Sequence, residues 1–404
     1  MLLPLAWKNI WRNKLRSAVI ITAIALGLMC GLTAAAIYIN IGTQMVSSTI
    51  TTGISHLQIS NPKFLIDREV NNFVPNAEVI AKRIDSLPQV AAAAPRMLVN
   101  GMASSPQTAL GVQITGIIAE REKNLTSIAS SLLEGNYFEE PWVNQVVIGQ
   151  ELARHLDLDL GSRIVFTFVD VNGELTGSAF RICGIFRTAS TQFDRSTVYV
   201  KARELGQLLE TGMRFQQVAV LFTTLRAADT SLNQIQKIVP EMELQTWRQL
   251  APQLDFMSSS MSLIMYIFLG VILLTLSFGI INTMLMVVLE RKREFGMLMA
   301  VGMGHKLLFF LVTLETVILS ISGAAIGMFL AFILISTLNV TGINLAALSS
   351  GLREFGIAEV LYPSLPLTMY PAVGGMVFIT AVLSAIYPAL RALRLRPAEA
   401  LRNI

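Results

Sequence analysis

SLIMYIFLGVILLTLSFGIINTMLMVVL, residues 262–289, carries no charge and gives way at once to ERKREFGMLMAVGM, residues 290–303. The first stretch is 28 residues long. As a helix it measures about 42 Å, against about 30 Å of bilayer hydrocarbon, so it reads as a membrane span. The second reads as a short helix lying on the membrane face. Phe295, Leu298, Met299 and Gly302 fall at i, i+3, i+4 and i+7, one apolar or small stripe. Glu290, Arg291, Lys292, Arg293 and Glu294 must then lie in water or against a partner protein. A span that feeds directly into a charged surface helix acts as a lever, since movement of a soluble partner at the helix moves the span.

The composition supports this reading. Of 404 residues 53% are hydrophobic and 14% charged, where soluble domains carry about a quarter charged. Two cysteines occur, Cys30 within an apolar stretch and Cys183 in a polar region, so no disulfide framework is expected. The three histidines, His56, His155 and His305, are too far apart to suggest a metal cluster at short range. The nearest approach to a phosphate-binding loop, Gly302-Met-Gly-His-Lys306, is too short and lacks the hydroxyl residue. Neither a Ser/His/Asp nor a Cys/His constellation stands out, and Arg68, Arg83, Arg121 and Lys123 form no stripe with aromatics. We therefore expect no enzyme, no metal, no cofactor held by this chain and no nucleic-acid partner.

Outward from the central stretch, the chain divides into segments. Residues 1–16, MLLPLAWKNIWRNKLR, place Trp7, Ile10 and Trp11 on one face among basic residues, which suits a helix in the headgroup layer. Residues 17–41 form a first span. They are too long for a signal-peptide core, so we expect the segment to be retained. Residues 262–289 are the second span, 307–338 the third and 369–390 the fourth. A polar loop, 339–368, joins the last two, and 391–404 form a tail. Helices continued from Ile41 through Ser47, and back from Ser262 to Pro252, would exceed the bilayer and carry the polar region as stalks.

That polar region, 42–261, alternates strand-like and helix-like runs. Strands are expected at 56–60, 96–103, 110–117, 145–148, 163–169, 179–186, 197–200 and 218–223, and helices at 77–87, 150–156, 202–209 and 227–239. Asn172-Gly173 signals a tight hairpin and Gly161 another turn. The run 56–60, 77–87, 96–103 is echoed by 218–223, 227–239, 243–247, two β-α-β halves that would pair into one α/β unit. We place that unit at 52–119 and 216–250, with a β-rich insertion at 120–215. The expected fold class is thus four transmembrane helices with an extracytoplasmic α+β domain inserted between helices 1 and 2. Segments 1–16, 290–306 and 391–404 each carry four Lys/Arg, against Arg353 alone in 339–368, which puts both termini in the cytoplasm and the large domain outside.

ERKREFGMLMAVGM after one span and YPALRALRLRPAEALR after another resemble the permeases of the MacB, FtsX and LolC/LolE superfamily of bacterial ABC transporters, as does the order of one span, a large domain and three spans. Among these, the lipoprotein-releasing permeases are most similar, through GIFRTASTQFDRSTVYV (184–200) and VIGQELARHLDLDLGSRIVF (147–166). The resemblance implies an inner-membrane permease dimer, with itself or a sister chain, on a cytoplasmic ABC ATPase dimer that binds ATP and Mg. It implies that 290–306 hold the coupling helix, with Glu290, Arg291, Arg293, Glu294 and Gly296 at the matching positions and Phe295 among them. Closure of the spans would pass up the stalks by mechanotransmission. The cargo would be an acylated lipoprotein, with a periplasmic carrier to receive it and membrane lipid around it. The resemblance implies for LolC a long hairpin loop, a hook that holds the carrier; the tight turn expected at Asn172-Gly173 leaves no room for one, which points to a LolE-like partner subunit or a relative with another cargo. The alternatives are an FtsX-like mechanical regulator of a periplasmic enzyme and a MacB-like efflux permease for peptides or drugs.

Two further groups of residues call for a reading. Met261, Met265 and Phe268, with Ile37 of the first span, are candidates for a cavity that takes acyl chains, though soft side chains more often serve ordinary lipid-facing or interhelix packing. Glu315, an ionisable residue well inside a span, is a functional candidate by default. We read it instead as a structural group, bonded to a neighbouring helix or near enough to the interface to reach water. Gly27 and Gly31, like Gly323 and Gly327, have the spacing that permits close helix approach.

Overall fold

The computed structural model describes residues 2–12, 14–139, 142–345 and 360–393. Arg394, Arg396 and Arg402 of the tail motif and Arg353 of the loop lie outside them. The described residues divide into a helical unit (2–42, 259–344 and 360–393) and a second unit (43–258 with 345).

Among the described residues four helices are long and apolar enough to cross a membrane: Lys14–Ile54, Pro252–Glu290, His305–Thr341 and Met369–Leu393. The second has 39 residues, about 58 Å of helix. A separate helix, Leu2–Arg12, precedes the first. The common face expected of Trp7, Ile10 and Trp11 is split. Ala6 and Ile10 are buried against the third span, and the tryptophans stay exposed, edge to face at 5.9 Å. A three- or four-residue step turns a helical side chain up to 60° from its neighbour, enough to separate packed from solvent- or lipid-facing positions.

Both glycine pairs lie where helices approach closely. A Cβ on Gly27 would stand 2.8 Å from Leu276, and one on Gly31 2.8 Å from Ile272, so the first span presents these positions to the second. On the third span, a Cβ on Gly327 would stand 2.7 Å from the carbonyl oxygen of Ala25, and one on Gly323 3.1 Å from that of Ile21. The first span is thus held on two sides by glycine contacts of different kinds, side chain on one and backbone on the other. Ser277 and Ser384 join the second and fourth spans through a 2.6 Å hydroxyl contact.

Among the described residues the second unit has ten strands: β1 (Leu57–Ser60), β2 (Val90–Ser104), β3 (Ala109–Ile117), β4 (Leu132–Gly135), β5 (Gln145–Gly149), β6 (Arg163–Val169), β7 (Leu175–Phe186), β8 (Thr197–Lys201), β9 (Gln217–Phe222) and β10 (Glu243–Thr246). Strands β10-β1-β9-β2 form an antiparallel sheet in that order. Each half, β1-helix-β2 and β9-helix-β10, leaves a gap that a strand of the other fills, the split β-α-β arrangement. The helices concerned are Ala77–Asp85 and Leu225–Ile238.

The remaining strands close on themselves. β2 pairs β3, β3 pairs β8, β8 pairs β5, β5 pairs β7, β7 pairs β6, and β6 returns to β2, which makes a six-stranded ring with β4 on the outer edge of β7. Closure removes most free strand edges. Phe166, Phe168, Phe180, Ile114, Ile164 and Ile182 alternate inward along its strands and are fully buried. β2 belongs to both sheets: Val90–Arg96 pair β9 and Arg96–Ser104 pair β3. The ring therefore takes in β3 and half of β2, residues that precede the insertion boundary expected at 120.

The turn between β6 and β7 is short. Asp170 bonds backbone to backbone with Glu174 at 3.0 Å, Gly173 takes φ +80°, and the Asp170 carboxylate accepts from the amides of Asn172 and Glu174.

Candidate functional site

The second span ends at Glu290 and the surface helix begins at Lys292, so Arg291 occupies the break. Its backbone leaves helical geometry (φ −90°, ψ 15°). The side chain turns back among the spans and is only 10% exposed. There Nη1 donates to both carboxylate oxygens of Glu315, at 2.9 and 3.1 Å, and Nε donates to Glu294 at 2.9 Å. The guanidinium lies 5.0 Å from the centre of the Phe295 ring.

Glu315 lies ten residues into its helix, about 15 Å along the axis. It is buried and accepts a further bond from Asn9 at 2.6 Å. A carboxylate there is expensive alone, and Arg291 with Asn9 removes most of that cost. Glu294 also pairs Arg12, and Glu290 pairs Arg16. Three arginines and three glutamates thus tie together the N-terminal helix, the start of span one, the end of span two, the surface helix and span three. The Arg12 hydrogen bond, with Arg291 adding to it, holds the Glu294 carboxyl below the usual range, and the same bond raises Arg12.

The surface helix, Lys292–Ala300, has two faces. Phe295 and Gly296 are buried, and Leu298 and Met299 are half-buried against the spans. Arg293, Met297 and Val301 are exposed at i, i+4 and i+8, Val301 at 89%. Gly302, expected as the fourth member of the stripe, lies past the helix end. Its φ is +106°, its amide donates to the Met299 carbonyl, and the Met303 amide donates to that of Leu298. This is a Schellman stop, which favours glycine because of the left-handed residue.

Of the six residues expected to face an ATPase, Arg291, Phe295 and Gly296 therefore point into the membrane unit, Glu290 and Glu294 are committed to arginines of the N-terminal segment, and Arg293 faces outward. Met297 and Val301 were not anticipated, although their four-residue spacing from Arg293 is visible in the sequence. Arg12 and Arg16 enter the sequence reading only as headgroup-layer and topology residues, and Asn9 has no reading there. Nothing local marks them as partners of carboxylates some 280 to 300 residues away.

Of the four residues expected to line an acyl cavity, Met265 is buried, and Phe268, three residues on and about 60° round the same helix, is 45% exposed. Ile37 is half-buried, and the Met261 thioether fills the place a Cβ on Gly42 would take. Among the described residues no three His, Cys, Asp or Glu side chains gather as metal ligands.

Residues 266–397 match the model of the FtsX-like permease C-terminal family, and residues 17–240 match that of the MacB-like periplasmic core domain. The second match alone takes in more than half of the chain. The chain belongs to the MacB- and FtsX-like permeases. Its curated relatives include the lipoprotein-releasing system transmembrane protein LolC of Xylella fastidiosa, 23% identical over 335 residues, which are 78% of either chain. LolE of Haemophilus influenzae is 21% identical, with 83% of this chain and 88% of that one covered. The macrolide export protein MacB of Chlorobium luteolum is 31% identical over 124 residues, 31% of this chain and 16% of that one. The protein is thus an ABC transporter permease, with a MacB-like core domain between its first two spans.

Proposed function

We propose that this permease is the membrane half of an ATP-driven machine in the bacterial inner membrane, and that its cargo is an acylated lipoprotein drawn from the outer leaflet. ATP and Mg are bound by a separate ABC ATPase dimer, and two permease chains, alike or sister, stand on it. The termini and the surface helix are cytoplasmic and the core domain is periplasmic. The ATPase grips the outward face of the surface helix at Arg293, Met297 and Val301. Movement there passes into spans two and three together, because Arg291 joins the base of one to Glu315 inside the other. That junction is the observation on which the reading rests. The coverage of LolC and LolE along most of the chain supports a lipoprotein cargo, and the short turn at Asp170–Glu174 favours a LolE-like subunit without a carrier-holding hook.

The test uses the full-length permease in nanodiscs with its ABC ATPase and a fluorescent triacylated lipoprotein. Met297→Glu with Val301→Glu, both distant from the buried network, is expected to lower ATPase association at least tenfold and abolish ATP-dependent release. Retention of both overturns the coupling assignment. A wild-type complex that hydrolyses ATP yet releases no lipoprotein, and instead exports a drug or peptide or activates a periplasmic hydrolase, overturns the cargo.

A further inference from the structure

The first long helix ends in a π-helical turn, Ile50–Ile54, closed by the Ser55 amide on the Ile50 carbonyl at 2.9 Å. A helix terminus leaves its last four carbonyls without helical partners, and they carry the negative end of the macrodipole. Here each of the four is taken by the core domain. The Thr51 carbonyl accepts from the Ser127 amide at 3.0 Å, and that of Thr52 from the Tyr199 hydroxyl at 3.5 Å. The Gly53 carbonyl accepts from Arg96 Nη1 at 2.5 Å, and that of Ile54 from the Gln58 amide nitrogen at 2.8 Å.

Arg96 is the charged member of this set. It is 3% exposed, and its other nitrogens pair Glu122, which is fully buried, at 2.6 and 3.3 Å. Its place in the sheet is particular. Arg96 is the residue at which β2 stops pairing β9, opposite Gln217, and starts pairing β3, opposite Ile117. A side chain there touches the junction of the split β-α-β sheet and the closed ring. Gly53 has no room for a side chain, since a Cβ would stand 2.5 Å from the Phe193 ring.

We propose that Arg96 is a positioning residue for transport: it fastens the end of the first stalk helix to the strand shared by both sheets, so that displacement of the helix carries the split β-α-β sheet and the ring together. The inference rests on the mechanotransmission reading above. Glu122 neutralises the guanidinium without competing for Nη1, and the fork of Arg supplies both contacts where a single ammonium cannot.

The test is amide hydrogen exchange on the full chain in nanodiscs, with its ATPase. In Arg96→Met with Glu122→Leu, apolar residues replace the whole buried pair, an exchange that commonly spares stability. Exchange at Thr51–Ser55 is expected to rise at least tenfold while β2 and β9 stay protected. ATP turnover is expected to persist while ATP-dependent release falls at least tenfold. Unchanged exchange at Thr51–Ser55, or full release, overturns the proposal. If the double variant does not fold, Arg96→Lys serves: it keeps the charge beside Glu122, is expected to speed exchange at Thr51–Ser55, and overturns the proposal if exchange and release match wild type. Loss of ATP turnover in the wild-type complex would instead count against the transporter reading itself.

Discussion

Arg291, the last residue before the surface helix, holds Glu315 of the third span through one guanidinium nitrogen shared between both carboxylate oxygens, at 2.9 and 3.1 Å. The pair is nearly enclosed, and it converts two long apolar helices and a surface helix into one body at their charged end. A carboxylate that looks in the sequence like a proton-handling group is occupied here by an arginine and Asn9.

Breaking that pair from one side leaves an unpaired buried charge. Arg291→Ala is expected to destabilise the protein by about 3 kcal/mol, and Arg291→Met with Glu315→Leu to recover most of the loss. Thermal unfolding in detergent, followed by loss of the monodisperse peak, measures both. A double variant no better than the single one would show that the two residues do not act as a pair.

The outer ion pairs behave differently because they are wet. Arg12 is 53% and Glu294 37% exposed, so Arg12→Ala is expected to shift stability by less than about 1 kcal/mol, and added salt to shrink even that. The Glu294 carboxyl is held below its ordinary value in the folded protein. Its contribution is therefore full above the ordinary carboxylate range and disappears as the pH falls through the folded value. Melting curves of wild type and Arg12→Ala should converge at acid pH and separate at neutral pH.

Asp194 has the opposite sign. Burial pushes it up to about 6, despite bonds from the Thr188 amide and hydroxyl. The folded state holds its proton more tightly than the unfolded chain, so this residue costs stability at pH 8 and the cost vanishes as the pH falls below about 4. Asp194→Asn keeps an acceptor for Thr188 and loses the charge. It is expected to raise the melting temperature at pH 8 relative to wild type and to give no gain near pH 4. A gain of the same size at both values would refute the titration.

The two glycine pairs predict a contrast. Gly27→Ala meets a Leu276 methyl that can swing aside, and is expected to cost under about 1 kcal/mol. Gly327→Val drives a branched side chain into the backbone of span one, and is expected to cost about 3 kcal/mol or prevent insertion. Equal expression and melting of the two variants would show that the helices can slide apart.

Gly302→Val tests the stop of the surface helix. Valine disfavours the left-handed conformation at φ +106°, so the substitution is expected to cost about 1–2 kcal/mol and to loosen ATPase association without touching the outward face. Association unchanged by Gly302→Val would mean that the register of the helix end is immaterial.

Much of this was legible in the chain. The four spans and eight strands were marked by run length and by alternation, and each has a counterpart, because apolar patterning and turn residues such as Gly161 and Gly173 are local signals; the ends are less legible, since the first helix runs on to Ile54, the second starts at Pro252 and β2 at Val90, where polar or small residues blur the pattern. Some short pieces were not seen: β4 and the helices Pro62–Asp67, Ala119–Leu125 and Thr191–Ser196 have four to seven residues, and unlike the equally short β1 and Gln150–Leu156 they were not marked by the pattern around them. The motif around Phe193-Asp194 was noticed as a likeness. Its physical basis, a carboxylate folded back on Thr188 and a Gly149 with no room for a Cβ against Asp194, needs the third dimension. The charged site was half visible. The run 290–294 identified the place. Which charges turn inward depends on Asn9, Arg12, Arg16 and Glu315, which sequence distance hides.

Because one uninterrupted fifteen-residue strand, β2, runs through both sheets of the core domain, the ring cannot be cut out as a cassette. A chimera that borrowed it from a relative at the boundaries of the apparent insertion would import β4 to β8 without β3 and the far half of β2, and would leave an open edge on each fragment. Functional grafts between these permeases should therefore be spliced inside β2, near residue 96, with the register kept on either side.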